Sequence, residues 1–119
     1  MYYKDMEVWK ESMTLALMVY KLTENFPKTE LYGLVSQIRR CSVSIPSNIA
    51  EGSVRSSNKE TAHFIDISLG SLAELDTQLL LSKELGFYNG EQIFEQLKKV
   101  NALLKGLKKY LMKNMSEAN

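Results

Sequence analysis

At 119 residues the chain has the length of one domain, because two separate cores of half that size would each bury too little apolar surface. Hydrophobic residues make up 45% and charged residues 24%, a composition that is typical of a globular protein and excludes a disordered chain. The formal net charge is only +1, so the bulk charge gives no argument for a nucleic-acid partner.

The N-terminal segment is rich in charged residues and lacks the apolar centre of a signal peptide. No apolar run approaches the ~20 residues that span a bilayer. These features predict a cytoplasmic protein with no membrane partner. Cys41 is the single cysteine, so an internal disulfide is excluded, and its expected role is that of a small buried helix residue.

Apolar residues recur at spacings of three and four along the whole chain, and no strand pattern competes with them. The pattern predicts an all-α fold, an antiparallel up-down four-helix bundle with short connections. The predicted helices cover about residues 4–25, 30–52, 57–86 and 91–113. The bundle domain therefore spans residues 1–113, and the tail 114–119 is expected to fray.

Two local signals refine the helix boundaries. Pro46 lies inside the second helix, where it removes a backbone donor, and it predicts a kink near Pro46 or, alternatively, a break into two helices. Ser57 is followed three residues later by Glu60, which is the spacing of a capping box at the start of the third helix.

A metal site has one weak indication. Glu60-x-x-His63 resembles half of a di-iron carboxylate motif, but such bundles need a second motif and two further inward glutamates. His63 is the only histidine. No nucleophile with a neighbouring base and no glycine-rich phosphate loop is apparent. The sequence therefore predicts no metal, no cofactor and no enzymatic activity, and His63 is expected at the surface or at an interface.

The segment 37–52 combines an apolar flank with a line of polar side chains at i,i+4 spacing. Such a line indicates either solvent exposure or a satisfied polar network at a helix or subunit contact. Two interpretations stay open: a network that holds the bundle and its assembly in register, and a contact with a ligand or nucleic acid. The candidate residues are Arg39, Arg40, Ser44, Asn48, Glu51, Arg55 and Glu74.

The fourth helix carries a second candidate surface. From residue 89 to residue 119 there are six lysines against three acidic residues, and from 59 to 88 two lysines against five acidic residues. Lysines at one helical sector predict either a solvated face or a stripe that contacts phosphates. These lysines are Lys98, Lys105, Lys109 and Lys113.

Several segments of the chain form a specific combination. They are Asp5-Met6-Glu7-Val8-Trp9, Phe26-Pro27, Glu30-Leu31-Tyr32-Gly33-Leu34, the whole of 37–52 followed by Arg55, and Gly70-Ser71-Leu72-Ala73-Glu74-Leu75. Together they resemble a known family, the four-helix bundle proteins encoded by intervening sequences within bacterial 23S ribosomal RNA genes. Cys41 stands where the family more often has Ala after the arginine pair.

The resemblance implies an up-down bundle that assembles into a ring, typically a homopentamer, without an established activity. A related branch, the accessory variability determinant of diversity-generating retroelements, forms a basic pentameric barrel that binds nucleic acid and a reverse transcriptase. We therefore expect a non-enzymatic, self-assembling protein that binds RNA or DNA weakly. The alternative is a structural oligomer or protein-binding adaptor without nucleic-acid contact, its protein partner unknown.

Overall fold

The computed structural model describes residues 2–118, with side chains for residues 2–115. A short 3₁₀ turn, Tyr3–Asp5, precedes helix α1, Glu7–Thr23. A second 3₁₀ turn, Lys28–Glu30, and a π-helical turn, Leu31–Val35, lead into α2, Ser36–Ser53. Helices α3, Asn58–Glu84, and α4, Gln92–Ala118, complete the fold.

The helices pack in a square in which α2 lies between α1 and α3, and α4 lies between α3 and α1. Only a few residues separate α2 from α3 and α3 from α4, so consecutive helices must run in opposite directions. No strand occurs in residues 2–118. The predicted antiparallel up-down four-helix bundle is confirmed.

The core contains the apolar residues that the helical spacing predicts. Along α4, the seven-residue repeat buries all but one of its members nearly completely, and Leu107 packs at the edge. The buried members are Ile93, Leu97, Val100, Leu104 and Leu111. The other three helices contribute residues that are fully inaccessible to solvent and that belong to the same core. These are Leu15, Ile38, Ile65 and Leu75.

The predicted helix ends are supported by capping geometry at both ends of α3. Ser57 accepts a hydrogen bond from the Glu60 backbone N–H at 3.2 Å, as its N-cap role requires. After α3, Gly86 adopts φ +80°, which a side chain would disfavour. The Gly86 N–H then donates to the Lys83 carbonyl and the Phe87 N–H to the Ser82 carbonyl, each at 3.0 Å, in a Schellman motif.

Helix α2 continues through Pro46 to Ser53 as a single element, so the alternative of a break into two helices at this proline is wrong. Burial of Ile45 and Ile49 on either side of Pro46 stabilises the helical path even though the proline has no backbone N–H to donate. The backbone departs from helical geometry earlier, at Gly33 (φ −110°, ψ −106°). The kink near Pro46 stays a prediction.

At the other end of the chain the α4 backbone is helical as far as Ala118, five residues beyond the predicted domain end at 113. Fraying of the tail 114–119 also stays a prediction, and Asn119 lies outside the described residues.

Helices α2 and α3 lie close together at Gly52. A Cβ atom on Gly52 would lie 2.8 Å from Phe64 Cβ and 3.3 Å from the Thr61 carbonyl oxygen. The Thr61 hydroxyl donates to the Gly52 carbonyl at 2.8 Å, so the contact is polar as well as tight. By contrast, a Cβ on Gly70 in the middle of α3 would meet nothing within 4 Å.

Gly52→Ala is therefore expected to lower the free energy of unfolding by about 1–3 kcal/mol, because the added methyl group must push α3 away. The control is Gly70→Ala, which adds the same methyl group to open space. It is expected to raise the free energy of unfolding by about 0.5–1 kcal/mol. Urea denaturation followed by circular dichroism measures both. Equal effects of the two substitutions would contradict the close packing at Gly52.

Candidate functional site

Arg39 connects α2 to α1. Its Nε donates to the Thr23 hydroxyl at 2.9 Å and a terminal nitrogen donates to the Tyr20 carbonyl at 3.3 Å. The guanidinium carbon also lies 4.7 Å from the centre of the Tyr20 ring, within cation–π range. Arg39 is thus a structural residue. Sequence reasoning did not identify Thr23 or Tyr20 as its partners.

Ser44 and Asn48 face the other neighbour of α2. The Ser44 and Ser71 hydroxyl oxygens lie 2.8 Å apart across the α2–α3 contact. Asn48 Nδ2 donates to the Ser44 carbonyl at 2.8 Å and to the Ser44 hydroxyl at 3.1 Å. The structure therefore brings these two predicted residues together with Ser71, which the sequence indicated only as a small residue.

Glu74 reaches the same contact from α3. The Cys41 thiol is 2.9 Å from the Ser71 carbonyl oxygen and 3.6 Å from a Glu74 carboxylate oxygen. Burial, and then the negative charge of Glu74, raise the pKa of the Cys41 thiol to about 12. At neutral pH Cys41 is therefore a protonated, poorly nucleophilic thiol that donates a hydrogen bond.

These side chains form the floor and walls of a polar groove of about 470 Å³ between α2 and α3, here called the α2–α3 groove. Arg40 lies on its α2 wall and is exposed, and it makes no ion pair with any described residue. The lining residues are Tyr32, Gly33, Ser36, Gln37, Arg40, Cys41, Ser44, Ser71 and Glu74.

Glu51 and Arg55 form a separate pair at the C-terminal end of α2, 2.6 Å apart and both solvent-exposed. The Arg55 guanidinium carbon also lies 4.7 Å from the centre of the Phe64 ring. The seven predicted residues thus fall into separate groups: one contact with α1, one cluster with α3, one exposed ion pair, and Arg40 alone.

On α4, the structure separates the lysines by their partners. Lys99 pairs with Glu11 of α1 at 2.9 Å and Lys108 with Asp66 of α3 at 2.7 Å. The four predicted lysines are exposed, and no ion pair involves them within the described part of the chain. Lys98 lines a cavity of about 300 Å³ together with Asp76. Lys105, Lys109 and Lys113 form an outer strip, here called the α4 lysine face.

A third surface is apolar. A cavity of about 460 Å³ lies along the α1–α2 side of the bundle, and its walls are almost entirely hydrocarbon. Its lining includes Met13, Leu17, Tyr20 and Val43, all of which are exposed. Leu17 is 69% exposed, which leaves most of a large apolar side chain in contact with water.

The half-motif Glu60-x-x-His63 does not gather further ligands. Within the described residues, no three His, Cys, Asp or Glu side chains come close enough together to hold a metal ion. His63 is exposed and its ring stands edge-on to Phe64 at 5.5 Å. Across residues 2–118, no helix has both the length and the apolar character needed to cross a bilayer.

The two adjacent arginines allow a direct test of this geometry. Arg39→Ala should lower the free energy of unfolding by about 1–3 kcal/mol, because it removes charge-assisted hydrogen bonds and the cation–π contact with α1. Arg40→Ala, the matched control, should change the free energy of unfolding by less than about 0.5 kcal/mol, since Arg40 is exposed and no ion pair joins it to another described residue. Urea titrations of both variants measure the difference, and an equal decrease would contradict the separate placement of the two side chains.

Comparison with known proteins gives one finding. The model of the family described as 23S rRNA-intervening sequence protein matches residues 4–109, which includes all of α1, α2 and α3 and most of α4. A search of curated proteins finds no match. The matched range contains the α2–α3 groove and all of the predicted lysines except Lys113. Because the match covers most of the chain, this protein belongs to the 23S rRNA-intervening sequence protein family.

Proposed function

We propose that this protein is a non-enzymatic homo-oligomer, a homopentamer, whose α4 lysine face binds the phosphate backbone of RNA or DNA. The observation that carries the proposal is the contrast between the lysines of α4. Lys99 and Lys108 are paired with Glu11 and Asp66, whereas the lysines of the outer face have no acidic partner in the described structure.

This contrast matters because an unpaired lysine can neutralise a phosphate without first losing an acidic protein partner. When it does so, counterions condensed on the nucleic acid are released, and that release supplies most of the free energy of sequence-independent binding. A lysine that is already paired gains less, since its acidic partner must be displaced or must share the cation. The α4 lysine face is therefore better suited to phosphate contact than the net charge of +1 indicates.

Assembly supports the proposal through repetition. Three lysines per chain give weak binding, but a closed ring repeats the face once per subunit and raises the overall avidity. The apolar cavity on the α1–α2 side is a suitable subunit contact, because its exposed Leu17, Met13 and Val43 are apolar surface that a single bundle leaves in water. The ring size of five is what the family resemblance implies.

The alternative function is a structural oligomer or protein-binding adaptor without nucleic-acid contact. The same apolar cavity favours this alternative. An amphipathic helix of another protein would bury the exposed side chains just as completely as a second copy of this chain would. The two functions differ in what they require of the lysines: the adaptor does not need them to be free.

For assembly, we expect multi-angle light scattering to return the mass of a homopentamer of the 13.6 kDa chain. Leu17→Asp should shift the mass toward the monomer, because it places a charge in the proposed subunit contact. Leu80→Asp is the matched control, since Leu80 is also exposed, at 49%, but lies on α3 outside the cavity. A monomer mass for the unaltered protein at micromolar concentration would overturn the assembly.

For nucleic acid, we expect binding to an unrelated RNA duplex that weakens steeply with salt and shows little sequence preference. The variant Lys105→Gln/Lys109→Gln should reduce both the affinity and the salt slope, by about one unit of slope for each phosphate that is no longer neutralised. The control, Lys99→Gln/Lys108→Gln, removes the same charge from the paired lysines and should have a smaller effect.

Fluorescence anisotropy across a salt series measures these changes. Absence of binding at low salt, or equal reductions in the two double variants, would overturn the phosphate contact and favour the adaptor function.

A further inference from the structure

Two charged groups of opposite sign line the α2–α3 groove without neutralising each other. Arg40 lies on the α2 wall and Glu74 on the α3 wall, and no ion pair joins them to each other or to another described residue. The hydrogen-bond partner of Glu74 is the Cys41 thiol at 3.6 Å, and that thiol is closer, at 2.9 Å, to the Ser71 carbonyl. One S–H group donates one hydrogen, so the Glu74 carboxylate retains most of its acceptor capacity.

The hydroxyl pair at the floor of the groove leaves one donor unused. Asn48 Nδ2 donates to the Ser44 hydroxyl oxygen, and this hydrogen bond therefore uses no hydroxyl hydrogen. The Ser44 and Ser71 hydroxyls share one hydrogen across 2.8 Å. Whichever serine donates, the hydrogen of the other hydroxyl remains, and no described residue accepts it. The groove therefore presents a cationic fork, a carboxylate and a neutral donor.

Tyr32 stands at the rim with 94% of its side chain exposed, the highest exposure of any large hydrophobic residue described. It lines both the groove and an adjoining cavity of about 410 Å³, and Arg40 lines both as well. An exposed aromatic ring next to an arginine is an arrangement on which single-stranded bases stack. The groove volume, about 470 Å³, is in the range of small-molecule sites and admits a purine.

We propose that the α2–α3 groove binds a guanine base, either in a free nucleotide or in a single strand. Guanine carries two adjacent donors, N1–H and the N2 amino group, which match the two oxygens of the Glu74 carboxylate. It also carries two adjacent acceptors, O6 and N7, which match the fork of the Arg40 guanidinium. Adenine presents an acceptor at N1 to the carboxylate and a donor at N6 to the guanidinium, so only its N7 acceptor matches the site.

This site goes beyond the phosphate contact proposed above and is independent of it. The groove lies between α2 and α3, whereas the lysine face lies on the outer side of α4, the helix that packs against α1 and α3. Base recognition here depends on hydrogen bonds and stacking, so its selectivity should change little with salt, in contrast to the lysine-dependent binding.

The test uses the full chain and two kinds of probe. Isothermal titration calorimetry with guanosine, inosine and adenosine monophosphates measures the free nucleotide. Fluorescence anisotropy with labelled oligoadenylate, with and without one central guanine, measures the strand. We expect guanosine monophosphate to bind about tenfold more tightly than adenosine monophosphate, because one bidentate pair discriminates by roughly five- to 150-fold. Inosine monophosphate, which lacks the N2 amino group, should fall between them.

Two variants probe the proposed contacts. Glu74→Gln and Arg40→Met should each reduce guanosine monophosphate binding about tenfold. The matched control is Glu51→Gln, which removes an exposed carboxylate of the Glu51–Arg55 pair outside the groove and should leave binding unchanged. Thermal melting within a few degrees of the unaltered protein shows that each variant remains folded, since Arg40 and Glu74 are both exposed.

Equal affinity for the guanine and adenine nucleotides, absence of binding at millimolar concentration, or an equal reduction in Glu51→Gln would overturn the inference. A guanine preference in the oligonucleotides identifies a strand as a source of the base, and a preference in the nucleotides alone identifies the free ligand. If lysine-dependent RNA binding occurs without a guanine preference, the groove inference fails and the proposed function stands. If the guanine preference occurs and the lysine variants have no effect, the groove inference stands and the proposed phosphate contact fails.

Discussion

The close approach of α2 to α3 is the constraint on which the other features of this bundle depend. Gly52 lets the backbones meet, since a Cβ atom there would lie 2.8 Å from Phe64 Cβ. Further along the same contact, the buried Ser68 hydroxyl donates to the Ile45 carbonyl at 2.9 Å. Small side chains with hydroxyl groups satisfy each other and the nearby backbone where larger ones would clash, so the two helices are held in one register.

That register positions the α2–α3 groove. The Ser44–Ser71 contact, at 2.8 Å, sets how far apart the two walls stand, and Arg40 and Glu74 project from those walls without meeting. The groove therefore has a backbone fixed by packing beneath its two charged side chains.

The segment 37–52 performs different roles on three sides of one helix. Arg39 binds α1, Ser44 contacts α3, and Arg40 faces outward. This division explains how a short motif can contain so many polar residues within a buried helix: the side chains that point inward are hydrogen-bonded, and those that point outward are available to partners. The α4 lysines are divided in the same way: Lys99 and Lys108 are paired, whereas no ion pair joins the α4 lysine face to any side chain in residues 2–115.

The sequence by itself determined the number of helices, most of their limits and their buried faces. Apolar spacing of three and four encodes a helix and its inward side directly, and local signals such as Ser57 and Gly86 encode helix ends through backbone geometry. The same reasoning was weakest for the predicted helix 30–52, where Pro46 indicated a kink or break but the non-helical residue is Gly33, in the turn before α2 begins at Ser36.

Only the tertiary structure decided which polar residues meet. Arg39 and Arg40 are chemically identical neighbours, yet a rotation of about 100° per residue turns one toward Tyr20 and the other into the groove. The partners Thr23 and Ser71 lie 16 and 27 residues from Arg39 and Ser44, respectively. Periodicity states that a face is polar, but it does not specify which helix lies beside that face, because this depends on how four apolar stripes pack together.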